Sequence, residues 1–238
     1  MLSLLSGNFT TNDLHQLLVR LIIILLILPL HEFAHAWTAH KLGDDTASYR
    51  GRMTLNPIAH IDPIGALLLL FTGFGWAKPV PIDPTRFNRK HSIRFGVAIT
   101  ALAGPVSNLI ASLIGMIALR LYLVSDVYWN YLEAMSAGES VRSTPQTVYL
   151  CLTYFVIINI GLALFNLIPI PPLDGSKVVG YFTSAKVDRW FMQNQQIVRI
   201  VFLVVVFSGL LSRPLSWLSG ELFDLFWTIT NWIPRVFG

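Results

Sequence analysis

Two long stretches of this 238-residue chain carry no charged side chain: 25 residues at 95–119 and 31 at 143–173. About 20 apolar residues are enough to cross the hydrocarbon core of a bilayer, so the chain crosses a membrane more than once. The composition agrees, with 54% apolar and only 13% charged residues, where a soluble domain carries about 25%. This is the sequence of a polytopic membrane protein.

The net charge of +4 would also fit a nucleic-acid binder. The basic residues, however, are spread over short loops between apolar segments, where they set orientation in the membrane, and no nucleic-acid partner is expected. Cys151 is the only cysteine, which leaves no intramolecular disulfide and no thiolate metal cage; it reads as a small packing residue. Arg20, the apolar run 21–30 and the small pair Ala34/Ala36 imitate a cleaved secretory signal. The flanking charges argue against one, because seven Lys/Arg follow the run at 41–92 and hold that side in the cytoplasm.

A first span at 14–40 runs from outside to inside, with Arg20 placed to snorkel outward. Residues 63–75 are apolar but too short to span, hence re-entrant. Residues 71–82 are too rich in glycine and proline for a helix. They read as the leg of a small re-entrant β-hairpin whose free edge would accept a substrate strand. Further spans are expected at about 95–123 and 147–170, followed by a short apolar run at 197–211. Residues 215–234 form either a fifth span or a helix lying in the interface. The fold class is an all-α transmembrane helix bundle with that hairpin, in a single membrane-embedded domain covering 1–238.

Inside the first span lies "HEFAH", residues 31–35. Residues four apart share a helix face, so His31 and His35 present two imidazoles to one point, with Glu32 beside them. That pattern binds zinc through the histidines and uses the glutamate as a base toward a metal-activated water. Ionisable groups within a span are costly and mark function by default. His40, next to Lys41, reads instead as a surface residue. A catalytic zinc needs a third protein ligand, and His60, Asp62 and Asp174 are candidates. Asp174 is favoured because "PPLDG" ends the third span on the side where "HEFAH" ends the first; Asp62, before Pro63, reads as a turn former. A metal-binding transporter would also carry ionisable residues in its spans, but it has no need of a non-ligand base such as Glu32.

"HEFAH" followed far downstream by "NLIPIPPLDG" (166–175) resembles the site-2 protease family of intramembrane zinc metalloproteases. Asn166, Pro169, Pro171, Leu173, Asp174 and Gly175 fill that family's second motif. "GFGWAKPVP" (73–81) and "AGPVSN" (103–108) resemble further family segments, and the likeness covers about residues 20–180. No stretch resembles a PDZ or CBS domain, so a compact member is expected, with a catalytic core at about 14–180 and C-terminal helices at about 195–234. The resemblance implies one zinc held by His31, His35 and Asp174, with Glu32 as catalytic base. It also implies a role for Asn166 close to the reacting substrate, in binding it or holding its oxyanion. The implied partners are a transmembrane protein substrate and the lipid bilayer, and the implied location is a cell membrane with the site toward the cytoplasm. Asn108 and Asn159 read as interhelical hydrogen-bonding residues. Pro29, Pro169, Pro171 and Pro172 free backbone groups at membrane depth, which survive only beside protein or a watery cavity.

The charge bias gives a testable topology: 41–92 and 175–195 in the cytoplasm, the N-terminus and 124–145 outside. Single cysteines introduced on a Cys151→Ser background should react with an impermeant reagent in intact cells at position 136 and not at position 92. The reverse pattern would invert the arrangement.

Overall fold

The computed structural model describes residues 11–72, 75–139 and 144–237. Its first span is a rod, Leu17–Lys41, built from α1 (Thr11–Ile22), a π-helical turn (Ile23–Ile27) and α2 (Leu28–Lys41). Pro29 accounts for the change of pitch: it lacks an N–H and its ring crowds the carbonyl four residues back. A π turn just before it relieves that crowding. After α2 come α3 (Thr46–Tyr49), a 3₁₀ turn (Pro57–His60), α4 (Pro63–Thr72), α5 (Ile93–Leu123), α6 (Asp126–Ser136) and α7 (Thr144–Asn166). The C-terminal part holds α8 (Asp174–Phe182), α9 (Ala185–Gln193), α10 (Gln195–Phe207), α11 (Ser212–Ile229) and α12 (Ile233–Phe237).

Among the described residues three helices are long and apolar enough to cross a membrane: Leu17–Lys41, Ile93–Leu123 and Thr144–Asn166. They fall where the sequence puts its first three spans. The third stops at Asn166 rather than near 170 because "IPIPP" cannot continue a helix. Of the C-terminal runs, α9 and α10 are bent by 80° at their junction and make at most one broken span. Helix α11 contains Arg213, Glu221 and Asp224 and is not among the membrane-crossing candidates.

Helix α5 is the hub, packing against α2, α7 and α8 and also meeting α11 and α12. Its buried face is rich in small residues, among them Ala101, Gly104, Ala111, Ser112 and Gly115. In lipid, where apolar surface gains little from burial, such residues let helices associate by close van der Waals contact. Around Gly115, the side chains Met116, Leu119, Val156, Ile160 and Phe226 form a core shared by α5, α7 and α11. Helix α11 is fixed by buried Arg120, whose guanidinium lies 3.4 Å from the centre of the Trp227 ring and whose Nη2 donates to the Trp227 carbonyl at 2.9 Å.

The re-entrant piece corrects the expected β-hairpin. Among the described residues there is no strand, only one isolated antiparallel bridge between Ile61 and Ala77. Residues 63–72 are helix α4, capped by Asp62, whose Oδ1 accepts the Ile64 and Gly65 N–H groups at 3.0 and 2.8 Å. In the last turn of α4 the Leu70 carbonyl accepts a hydrogen bond from Arg20, so Arg20 meets protein rather than only reaching outward. The chain then returns as an extended leg against α4. A methyl on Gly75 would lie 2.1 Å from the Gly65 carbonyl oxygen, and one on Gly65 would lie 2.2 Å from that of Trp76.

No ladder forms because Pro79, Pro81 and Pro84 have no N–H to give and other groups take most of the leg's hydrogen-bonding capacity. Arg52 Nη2 donates to the carbonyls of Lys78 (2.6 Å) and Pro79 (3.2 Å), and the Lys78 N–H donates to the His60 carbonyl (2.9 Å). The strand edge imagined for substrate is therefore absent.

The glycine contact between α5 and α7 should be sensitive to size, since a methyl at Gly115 would sit 2.7 Å from the Phe155 ring whereas one at Gly161 meets nothing within 4 Å. Overpacking costs about 1–3 kcal/mol. Gly115→Val should lower the thermal unfolding midpoint of the detergent-solubilised protein by several degrees, and Gly161→Val should leave it unchanged.

Candidate metal centre

On α2, His31 and His35 lie on the buried face, and their rings meet edge to face, 4.6 Å apart at 89°. Each turns its Nε2 inward, leaving 3.1 Å between the two nitrogens. The third donor comes from far along the chain. Residues 167–173 form a proline-rich turn, and Asp174 is the first residue of α8. Gly175 lets that turn close tightly, since a methyl there would lie 2.2 Å from the Leu167 carbonyl oxygen. Asp174 Oδ2 sits 3.2 Å from His31 Nε2 and 3.1 Å from His35 Nε2. Zinc bonds of about 2.0–2.1 Å at tetrahedral angles place neighbouring ligand atoms about 3.3 Å apart, close to the triangle observed. Two imidazoles and one carboxylate suit zinc, and three protein donors leave a fourth position for chemistry.

The electrostatics fit a cation. Burial alone would raise the Asp174 carboxyl; the close approach of the His31 and His35 rings and the nearby Lys177 ammonium outweigh it and hold the group well below the usual carboxylate range. Lys177 Nζ takes the other oxygen, Oδ1, at 3.0 Å, so a single oxygen faces the imidazoles. Negative charge is also favoured in the first turn of a helix.

The outward nitrogens of both histidines are held by α5. His35 Nδ1 donates to the Thr100 carbonyl at 2.7 Å, and His31 Nδ1 donates to Asn108 Oδ1 at 2.6 Å. Between these two points Gly104 touches both rings: a methyl there would lie 2.5 Å from His35 Nε2 and 2.6 Å from His31 Cε1. Thr100, Gly104 and Asn108 recur every four residues and so form one stripe of the helix. Sequence reasoning did not give that stripe a role at the metal centre. Its side-chain signal was present in "AGPVSN"; the Thr100 carbonyl has no signal of its own.

A cavity of about 700 Å³ opens onto the three donors and is lined also by Glu32, Trp76, Asn166 and Phe202. Glu32 is not part of the donor triangle; its Oε2 accepts the Val80 N–H at 2.8 Å. Asn166 stands on the cavity wall, with its Nδ2 donating to the Leu162 carbonyl at 3.0 Å. Of the other third-ligand candidates, Asp62 is spent as the α4 cap and His60 Nε2 pairs with the Thr54 carbonyl at 2.7 Å. Among the described residues only His31, His35 and Asp174 converge as a metal-ligating group.

A sequence profile of Peptidase family M50 matches residues 19–211. "Putative zinc metalloprotease YwhC" of Bacillus subtilis is 39% identical over 196 residues, covering 82% of this chain and 83% of its own length. "Putative zinc metalloprotease Rip2" of Mycobacterium tuberculosis is 30% identical over 207 residues, covering 85% of this chain and 70% of its own. The protein of that name from Mycolicibacterium smegmatis is 24% identical over 194 residues, covering 79% and 66%. No solved structure matches the chain.

The Gly104 contact separates folding from metal binding. Alanine is a better helix former than glycine by about 1 kcal/mol, so Gly104→Ala should preserve helix content while its methyl displaces both imidazoles. Elemental analysis of the purified variant should find much less zinc than in wild type. Full zinc retention would mean that α5 does not set the ring positions.

Proposed function

The chain belongs to peptidase family M50, and from that premise we propose that it hydrolyses peptide bonds within or beside the transmembrane segments of membrane-protein substrates, at a site facing the cytoplasmic side of a cell membrane. The observation that carries the reading is Glu32, a carboxylate outside the donor triangle but on the wall of the same cavity. A site that only binds or conducts a metal needs no such group, whereas hydrolysis needs a base for the attacking water and an acid for the leaving amine.

We assign zinc to His31, His35 and Asp174, which would hold it; when bound, it would supply Lewis-acid chemistry toward a water and the scissile carbonyl. Glu32 is assigned as the base that takes a proton from the attacking water and as the acid that gives one to the departing amine nitrogen. The Val80 N–H bond fixes where the Glu32 carboxylate stands before substrate arrives. Asn166, on the cavity wall, is assigned to contact the substrate backbone next to the cut. The mainly apolar walls, including Leu28, Phe165 and Phe202, suit a stretch of unwound membrane segment and limit the water that reaches it. Helices long and apolar enough to cross a bilayer, with the donors toward the ends that basic loops would hold in the cytoplasm, support that location.

Glu32→Gln keeps the side chain's shape but not its basicity. The purified variant should hold one zinc per chain while turnover falls by about 10²–10⁴-fold. It should also co-purify with an intact membrane protein that the wild type releases as two fragments. Asp174→Ala should lose the zinc and His60→Ala should keep it. Undiminished cleavage by the Glu32→Gln protein would remove the base assignment, and cleavage confined to water-soluble peptides would remove the intramembrane one.

A further inference from the structure

Three buried amides and carbonyls outside the donor triangle form one directed chain. His31 Nδ1 faces Asn108 Oδ1 at 2.6 Å, Asn108 Nδ2 donates to Asn159 Oδ1 at 2.8 Å, and Asn159 Nδ2 donates to the Phe155 carbonyl at 2.8 Å. Both asparagines are completely buried. The chain links α2, α5 and α7, which belong to the three candidate spans among the described residues.

Its direction is fixed at one end. A backbone carbonyl can only accept, so Asn159 must present its NH₂ to Phe155 and its oxygen to Asn108. Asn108 must then present its own NH₂ to Asn159 and its oxygen to His31. An oxygen there demands a proton on His31 Nδ1, and a neutral imidazole protonated at Nδ1 has its lone pair on Nε2, the atom that faces His35 and Asp174. His35 reaches the same state in one step, because its Nδ1 meets the Thr100 carbonyl directly.

We infer that Asn108 and Asn159 are positioning residues for the metal: an amide relay that starts at the Phe155 carbonyl and locks His31 in its metal-binding tautomer. The inference rests on the zinc assignment above. Without the relay, an Asn108 amide free to turn over would offer NH₂ to His31, favour the opposite tautomer, and place a proton where the metal must bind. Partners of metal-bound histidines typically matter by 10–100-fold in metal affinity.

The test measures zinc affinity by chelator competition on full-length protein in detergent, with circular dichroism as the folding check. Asn108→Leu keeps a buried side chain but removes the acceptor, and should weaken zinc binding about 10–100-fold. Asn108→Asp keeps an acceptor for Nδ1–H and should bind zinc clearly more tightly than Asn108→Leu. A role limited to packing predicts the opposite order, because leucine is tolerated in an apolar interior better than a carboxylate. Asn159→Leu leaves Asn108 against His31 but frees its amide to turn. Chelator competition should find zinc bound more weakly by that variant than by wild type, at unchanged helix content.

If Asn108→Leu does not fold, Asn159→Leu carries the test through the same two measurements. Wild-type zinc affinity in both leucine variants, or tighter binding by Asn108→Leu than by Asn108→Asp, overturns the relay and leaves the zinc assignment standing. A wild-type protein that binds no zinc brings down both.

Discussion

The metal centre depends on how closely α5 approaches α2. At Gly104 the helix backbone lies against both imidazole rings, in space that a single methyl would take. One turn to either side, the same stripe supplies an acceptor for each outward nitrogen: the Thr100 carbonyl and the Asn108 amide. Room for the rings and control of their orientation therefore come from the same contact. A larger side chain at 104 would move the helix outward and lengthen both hydrogen bonds. In lipid such an approach must come from small residues, since helix association there draws little on the hydrophobic effect. The buried small-residue face of α5 and the placement of a metal ligand set are thus one physical fact.

Asp174 completes the set by a different device. It sits in the first turn of α8, where the helix dipole favours an anion, after a turn too proline-rich to extend α7. Lys177, one turn on, occupies one carboxylate oxygen and leaves the other to the histidines. Each donor is held from behind: His31 by an amide, His35 by a carbonyl, Asp174 by an ammonium. A site whose ligands are held in this way loses little freedom when it closes on a cation, which makes strong binding compatible with an open fourth position.

The sequence carried the parts governed by local rules. Charge-free length located two of the three spans to within a few residues, and the four-residue spacing of His31 and His35 put both on one face. The Asp–Pro step at 62–63 read correctly as a turn, and Asp62 caps α4. The resemblance in "NLIPIPPLDG" singled out Asp174 with its glycine. What it did not carry was set by tertiary partners. Residues 75–82 read as the leg of a β-hairpin, but strand pairing needs free donors and acceptors in register; here the prolines and Glu32 remove donors, and Arg52 takes two of the carbonyl acceptors. Asn108 and Asn159 did read as interhelical hydrogen-bonding residues, and they bond each other across α5 and α7. Nothing in their spacing from the "HEFAH" motif indicated that the bond ends on His31, because that depends on how α2 lies across α5.

The leg that failed to become a strand still has a structural task. Val80 is buried with Ala36 and Ala47, and its N–H is held by Glu32 while Arg52 holds the two carbonyls just before it. Arg52 is itself buried, and no carboxylate pairs with it among the described residues. Its desolvation is offset by backbone dipoles alone, an expensive arrangement for a residue that only fills space. The cost is intelligible if the leg must be rigid. Trp76, Ala77 and Pro79 line the cavity, and Val80 in the same leg orients the group assigned as the base. A displacement of the leg large enough to widen the cavity would break the Val80–Glu32 hydrogen bond as well, so cavity shape and base orientation are mechanically tied, and Arg52 holds the tie from outside the site.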